Sequence, residues 1–243
     1  MPNWCYNELE VSITVEPELK DKAKKQLKEF MSKCIIKEDG EERFDFNQVI
    51  PMPKSLQITS GSSVSNAMAV IKYEEGDNEL IKTMLKYSWV KEQGIKSMKK
   101  LYEELNKDVS LSDRQEARTS IDNEKKYGYA NWYDWSCNKW GTKWNARNTI
   151  MLIEYDSPLV DAPYPIAIAF ETAWSPPVPI IEELFIQYPL LTFTLEFKEE
   201  GMGFEGIMRG CKHTDKYHYD IKDVEYEEEE EETSFPFDKI NLN

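Results

Sequence analysis

The chain has 243 residues, a formal charge of −15, 40% apolar residues and 12% aromatics. That is enough chain to bury a core without metal or disulfide staples, and too apolar a mixture for a disordered protein. No apolar run nears the roughly 20 residues of a membrane helix, and Met1–Asn7 has neither the basic nor the apolar region of a secretory signal. A cytoplasmic protein without membrane contact is expected. Cys5, Cys34, Cys137 and Cys211 lie far apart with no C-x-x-C spacing, which suits reduced, mostly buried thiols.

Charge is unevenly placed. From residue 223 onward Asp223, Glu225, Glu227–Glu232 and Asp238 meet a single base, Lys239. An acidic chain is a poor match for phosphate unless a local basic patch acts alone.

Asn7 to Val15 alternates, with Leu9, Val11, Ile13 and Val15 on one side, and reads as a half-buried strand. Pro17 opens a helix whose apolar stripe is Leu19, Ala23, Leu27, Phe30, Met31 and Cys34. Asp39-Gly40 marks a turn, and Phe44 to Ile50 reads as a second strand ended by Pro51 and Pro53. Residues 54 to 69 are rich in Ser, Asn and Gly and read as a loop, with a short strand over Ala69 to Tyr73. Helical spacing then runs from Asp77 to Tyr129, and Ser112 with Gln115 fits a capping box. Ile150 to Tyr155 and Ile166 to Phe170 are strand candidates, the second apolar enough to be covered on both faces. A helix follows the prolines at 176, 177 and 179, with Ile180, Ile181, Leu184, Phe185 and Tyr188 as its stripe. Thr192 to Lys198 and Phe204 to Cys211 make a terminal hairpin.

This order predicts an α+β fold: a ferredoxin-like antiparallel sheet with helices on one face and a long helical, Trp-rich insertion. The expected organisation is one domain over residues 1–222, with the insertion at about 54–147, and an acidic tail over 223–243.

Four of the seven tryptophans fall between Asn131 and Asn145. Trp132, Trp135, Trp140 and Trp144 interleave with Lys139 and Lys143, and Trp174 follows the apolar strand. Aromatic rings with bases between them suit stacking on nucleobases and holding phosphate. They also suit a core that docks the insertion onto the sheet, with Trp174 plugging the sheet end beneath the helix. Both readings stand from sequence. Trp132, Trp135, Lys139, Trp140, Lys143, Trp144 and Trp174 are the candidate contact surface.

Met1-Pro2-Asn3-Trp4-Cys5-Tyr6-Asn7, Asn131-Trp132-Tyr133-Asp134-Trp135, Trp140-Gly141-Thr142-Lys143-Trp144-Asn145 and Phe170-Glu171-Thr172-Ala173-Trp174-Ser175-Pro176-Pro177 resemble the YubB-type ferredoxin-like proteins of bacteriophages and plasmids, and so does the block from Tyr188-Pro189 through Gly201 to Phe204 and Gly206. The resemblance implies a ferredoxin-like fold, a mobile-element origin and a bacterial host cytoplasm. It brings no catalytic residues and no cofactor.

Other chemistry is thinly supported. Cys211, His213 and His218 lack a fourth ligand and a metal-site spacing, so no metal is expected. Glu199, Glu200 and Glu205 beside a hairpin are a weak acid–base set. Gly201-x-Gly203-x-x-Gly206 precedes a strand, where a dinucleotide fingerprint needs a helix. Ser62-Ser63 has no nearby histidine. The expectation is a non-catalytic module that contacts a host protein or nucleic acid. The alternatives are an acidic nucleic-acid mimic acting through its tail or an anti-defence inhibitor, and an enzyme acting on a nucleotide or RNA.

Overall fold

The computed structural model describes residues 3–38, 40–153 and 166–223. Its elements run in the order β1 (Trp4–Ser12), α1 (Lys20–Cys34), β2 (Ile35–Glu38), β3 (Glu41–Phe44), α2 (Ser62–Glu74), α3 (Glu79–Met84), α4 (Ser88–Glu92), α5 (Met98–Asp108), α6 (Leu111–Tyr127), α7 (Trp132–Lys139), β4 (Arg147–Ile153), β5 (Ile166–Ala173), α8 (Val178–Gln187), β6 (Thr192–Glu199), β7 (Phe204–Cys211) and β8 (Lys216–Asp223). Six strands form one sheet in the order β4-β5-β1-β6-β7-β8, and every neighbouring pair is antiparallel. The four strands β4-β5-β1-β6, with α1 and α8, are the split β-α-β pair expected of a ferredoxin-like fold. β7 and β8 widen it.

Alternation along β1 sets the two faces of the sheet. Cys5, Asn7, Leu9 and Val11 are buried, while the residues between them are exposed or half-buried. Leu9, Ile168, Phe170, Phe193 and Leu195 turn toward Leu27 and Phe30 of α1 and Ile181 and Leu184 of α8. Phe30 meets Phe44, Tyr188 and Phe193 edge-on, with centroids 5.7 to 6.2 Å apart, and Phe170 meets Phe44 and Phe46 in the same way. Removing one such ring costs about 3–5 kcal/mol.

Several sequence expectations shift. The first strand begins at Trp4 and ends at Ser12, because Thr172 and Ala173 of β5 extend the pairing toward the chain start. The strand expected over Phe44–Ile50 is the end of a small hairpin, β2–β3, followed by a 3-10 turn over Phe46–Gln48 that Asp45 caps. The loop expected over 54–69 and the strand over Ala69–Tyr73 are in large part α2. Ala69 and Val70 face α3–α5, while Val64, Ala67, Met68 and Ile71 face α6, so the helix is apolar almost all round and its 3.6-residue period is hidden. Ser62 and Ser63 open this helix. The capping box is Ser110 with Asp113, two residues earlier than Ser112 with Gln115. The strand before residue 154 begins at Arg147. The expectations for residues 154–155 and for the tail beyond Asp223 lie outside the described residues.

The helical stretch has two small cores of its own. Its helices are also tied together at the surface. Arg114 grips both carboxylate oxygens of Glu74 at 2.9 Å, Tyr102 donates to the same group, and Lys72 meets Glu124. Among the described residues no helix is long and apolar enough to cross a membrane.

Candidate functional site: an aromatic and basic ridge

The Trp-rich segment folds as one short helix and a tight return to the sheet. Asn131 caps α7 by accepting from the Tyr133 N–H at 2.9 Å. Trp135 and Trp140 turn inward, 5% and 4% exposed, and meet at 5.4 Å. The Trp140 indole N–H donates to the Ile50 carbonyl at 2.9 Å. A buried indole needs such a partner. Gly141 follows at φ 78°, where a Cβ would stand 2.5 Å from Pro179 Cδ, so only glycine fits.

Polar clamps then lock the loop. Thr142 Oγ1 donates to the Ala173 carbonyl at 2.8 Å, and Ser175 Oγ to the Gly141 carbonyl at 2.5 Å. Asn145 is the keystone: its Oδ1 accepts from the Phe46 N–H at 2.9 Å and its Nδ2 donates to Asp45 at 2.6 Å. Burial raises the Asp45 pKa, but hydrogen bonds from Asn145, Gln48 and the Asn47 backbone, with Arg43 nearby, outweigh it and hold the carboxyl below its ordinary value.

This scaffold presents the outward residues as a continuous ridge. Lys143 Nζ lies 5.3 Å from the Tyr133 ring centroid and 4.5 Å from that of Trp144. Trp144 meets Trp4 of β1 at 5.9 Å, tilted by 39°. Arg147, at the start of β4, places its guanidinium 4.2 Å over Trp4 and pairs with Glu171 of β5 at 3.4 Å. Asn148 donates to the same carboxylate at 2.9 Å. The order is therefore ring, cation, ring, ring, cation. Tyr133 and Trp144 are 40% and 37% exposed. Beside them is a hollow of about 340 Å³, lined in part by Met52, Ile58, Trp132, Lys143, Trp144 and Asn145.

The seven candidate residues thus divide. Trp132, Trp140, Lys143 and Trp144 line the hollow, and Lys139 is exposed on α7. Trp135 and Trp140 belong to the core and brace the ridge from behind. Trp174 is no plug: it is 41% exposed and holds φ at 75° as the chain leaves β5. Tyr133, Trp4 and Arg147 complete the ridge and were not among the candidates. Arg147 follows Lys139 and Lys143 within a few residues in the sequence. Trp4 joins only through the central position of β1.

The other candidate chemistries resolve into structure. Glu199 is fully buried and accepts from the backbone N–H groups of Gly201 and Met202, so it caps the β6–β7 turn. Cys211 donates to the Pro189 carbonyl, and His213 meets Glu16 at 3.7 Å. Among the described residues no group of three or more His, Cys, Asp or Glu is placed to hold a metal ion. Burial pushes the Cys5 thiol up to about 12 and the Cys34 thiol to about 11, far from an activated nucleophile. A second hollow of about 450 Å³ lies on the open face of the sheet, among Tyr6, Glu8, Glu196, Ile207 and Asp220. There Glu8 stands directly opposite Glu196. Burial, then the charges of Glu196 and Glu10, raise the Glu8 pKa.

Residues 139–238 match the family described as the ferredoxin-like domain in Api92-like protein. That span holds β4 to β8 and α8, and it leaves out β1 and α1, which complete the sheet. A solved structure, protein api92 from Yersinia pseudotuberculosis, aligns over 93% of this chain and 99% of its own length, at 12% identity and a TM-score of 0.36. No curated protein matches the chain.

Proposed function

We propose that the protein is a non-catalytic binding module whose ridge of Tyr133, Lys143, Trp144, Trp4 and Arg147 holds a short single-stranded nucleic acid. The observation that carries this reading is the placement of two cations over three rings. The exposed rings of Tyr133 and Trp144 offer stacking surface to any base, worth about 1–3 kcal/mol per base. Lys143, resting on Tyr133 and Trp144, keeps its charge for phosphate, while Arg147 shares its charge with Glu171. A ligand that is both planar and anionic uses both halves of the ridge, and an apolar peptide uses one.

The acidity of the whole chain favours a short contact over extended tracking. A protein with formal charge −15 repels phosphate away from the basic spot. The resemblance seen in the sequence supports a setting in the cytoplasm of a bacterial host and an origin on a mobile element. The reading of the acidic tail as a nucleic-acid mimic concerns residues that, apart from Asp223, lie outside the described ones.

Fluorescence anisotropy with a labelled oligothymidylate tests the proposal. Binding is expected at low salt. Lys143→Gln is expected to flatten the dependence of log K on log salt by about 0.7, one phosphate contact on a single strand. Trp144→Ala is expected to weaken binding roughly tenfold without changing that slope. Binding that survives both changes, or no binding at low salt, removes the proposal.

A further inference from the structure

The hollow beside the ridge has two walls. One is the Trp-rich return, with Trp132, Lys143 and Trp144. The other is the segment before α2, with Met52, Gln57 and Ile58. The bond from the Trp140 indole N–H to the Ile50 carbonyl ties one wall to the other. The second wall is also held from within. Leu56 is fully buried, the Ser55 carbonyl accepts from the Asn123 side chain at 2.7 Å, and the Gln57 N–H donates to the Lys54 carbonyl at 3.1 Å. At about 340 Å³ the hollow falls at the small end of ligand sites, which span about 300–1,000 Å³ and are largely formed in advance.

Most of its lining is apolar, and its polar groups differ in what they have left to give. Asn145 is spent: its Oδ1 accepts from the Phe46 and Ala146 N–H groups and its Nδ2 donates to Asp45. Lys143 rests on the Tyr133 and Trp144 rings. Gln57 is exposed, and among the described residues its carboxamide has no hydrogen-bond partner. Water satisfies such a group on an open surface. Here it stands in a hollow walled by two indoles.

Resting on the reading of the ridge as a nucleic-acid site, we infer that the hollow seats one base of the strand, that Gln57 reads its edge, and that the preferred base is adenine. A carboxamide offers one donor beside one acceptor. Adenine answers that pair on both its Watson–Crick and its Hoogsteen edge, so it fits either way round. Guanine, cytosine and thymine answer it on one of the two. The indoles of Trp132 and Trp144 give the larger purine ring its apolar walls. Lys143, which belongs to ridge and hollow alike, meets the adjoining phosphate.

Anisotropy titration of the full chain at low salt compares a short oligothymidylate with the same strand carrying one central adenine. The strand with adenine is expected to bind roughly tenfold tighter. One central cytosine or guanine should gain less. Gln57→Met keeps the bulk of the side chain and removes both hydrogen-bonding groups. It is expected to bring the adenine strand down to the affinity of oligothymidylate, which itself binds as to the parent. Equal affinity of the two strands for the unmodified chain overturns the inference and leaves the ridge standing. A preference for adenine that survives Gln57→Met overturns the role of Gln57. A larger gain from guanine than from adenine overturns the choice of base and makes Lys143 the reader. Failure of both strands to bind removes the ridge and the hollow together.

Discussion

Trp4 of β1 and Trp144, in the return from α7 to β4, stand with ring centroids 5.9 Å apart, and Arg147 covers the Trp4 ring. The contact joins the first strand of the chain to the end of the Trp-rich segment. It makes one ridge from residues that no local motif unites. Trp4→Ala is therefore expected to weaken oligothymidylate binding about as much as Trp144→Ala does, by roughly 1–3 kcal/mol. Anisotropy titration checks this, and binding at the wild-type level would place Trp4 outside the ligand's path.

Asn145 holds the ridge loop through Asp45. Asn145→Ala removes a donor from a buried carboxylate and an acceptor from the Phe46 N–H, a loss of about 1–3 kcal/mol. Because the folded Asp45 pKa lies below its ordinary 3.8, its contribution is full above that value and is lost as pH falls through the lower folded pKa. Urea melts of the parent from neutral pH down to pH 3 and below should show this acid limb. Asp45→Asn should flatten it. An unchanged limb would assign the acid sensitivity to other carboxylates.

Gly141 is the pivot between the braced and the presented parts of the segment. Gly141→Ala brings the left-handed penalty of about 1–2 kcal/mol and a Cβ against Pro179. Thermal melts are expected to show that loss, with oligonucleotide binding falling in parallel as Lys143 and Trp144 shift. A melting temperature equal to the parent's would mean the turn relaxes freely.

Glu196→Gln relieves the cross-strand clash with Glu8 and is expected to stabilise the protein at neutral pH by about 0.2–1 kcal/mol. The sign follows from Glu8, whose pKa is raised by burial and then by Glu196 and Glu10. Its protonated form favours the folded state, so relative stability is highest below its ordinary 4.5 and declines as pH rises through the folded pKa. The benefit of Glu196→Gln should therefore fade as pH drops below that range. A gain that persists in acid would point to a cause other than charge.

How much of this was legible in the sequence depends on how each element is covered. β1, β6 and β7 have one wet face, so their alternation survives and their pairing could be drawn from pattern alone. α1 and α8 show one apolar stripe for the same reason. α2 packs on both sides and loses its period. β8 alternates Tyr217, Tyr219 and Ile221 with His218, Asp220 and Lys222, yet its apolar side is only half covered, and that weak signal was missed. Among the tryptophans, composition marked the segment but not the direction of each ring. Trp135 and Trp140 are buried, while Trp132 and Trp144 stay partly open to solvent, because α7 is short and Gly141 turns the chain. The union of Trp4 with Arg147 comes from strand order, which local spacing does not encode.

β1 is made first, yet it lies between β5 and β6, which emerge from the ribosome far later. Until then its amide edges have no ladder to join, while α2 to α6 can already pack through their own small cores. The nascent chain is thus expected to complete a helical body before its sheet, with long-range closure onto a waiting strand as the slow step. Stalled or shortened products that end before β6 would expose that strand to proteases and chaperones.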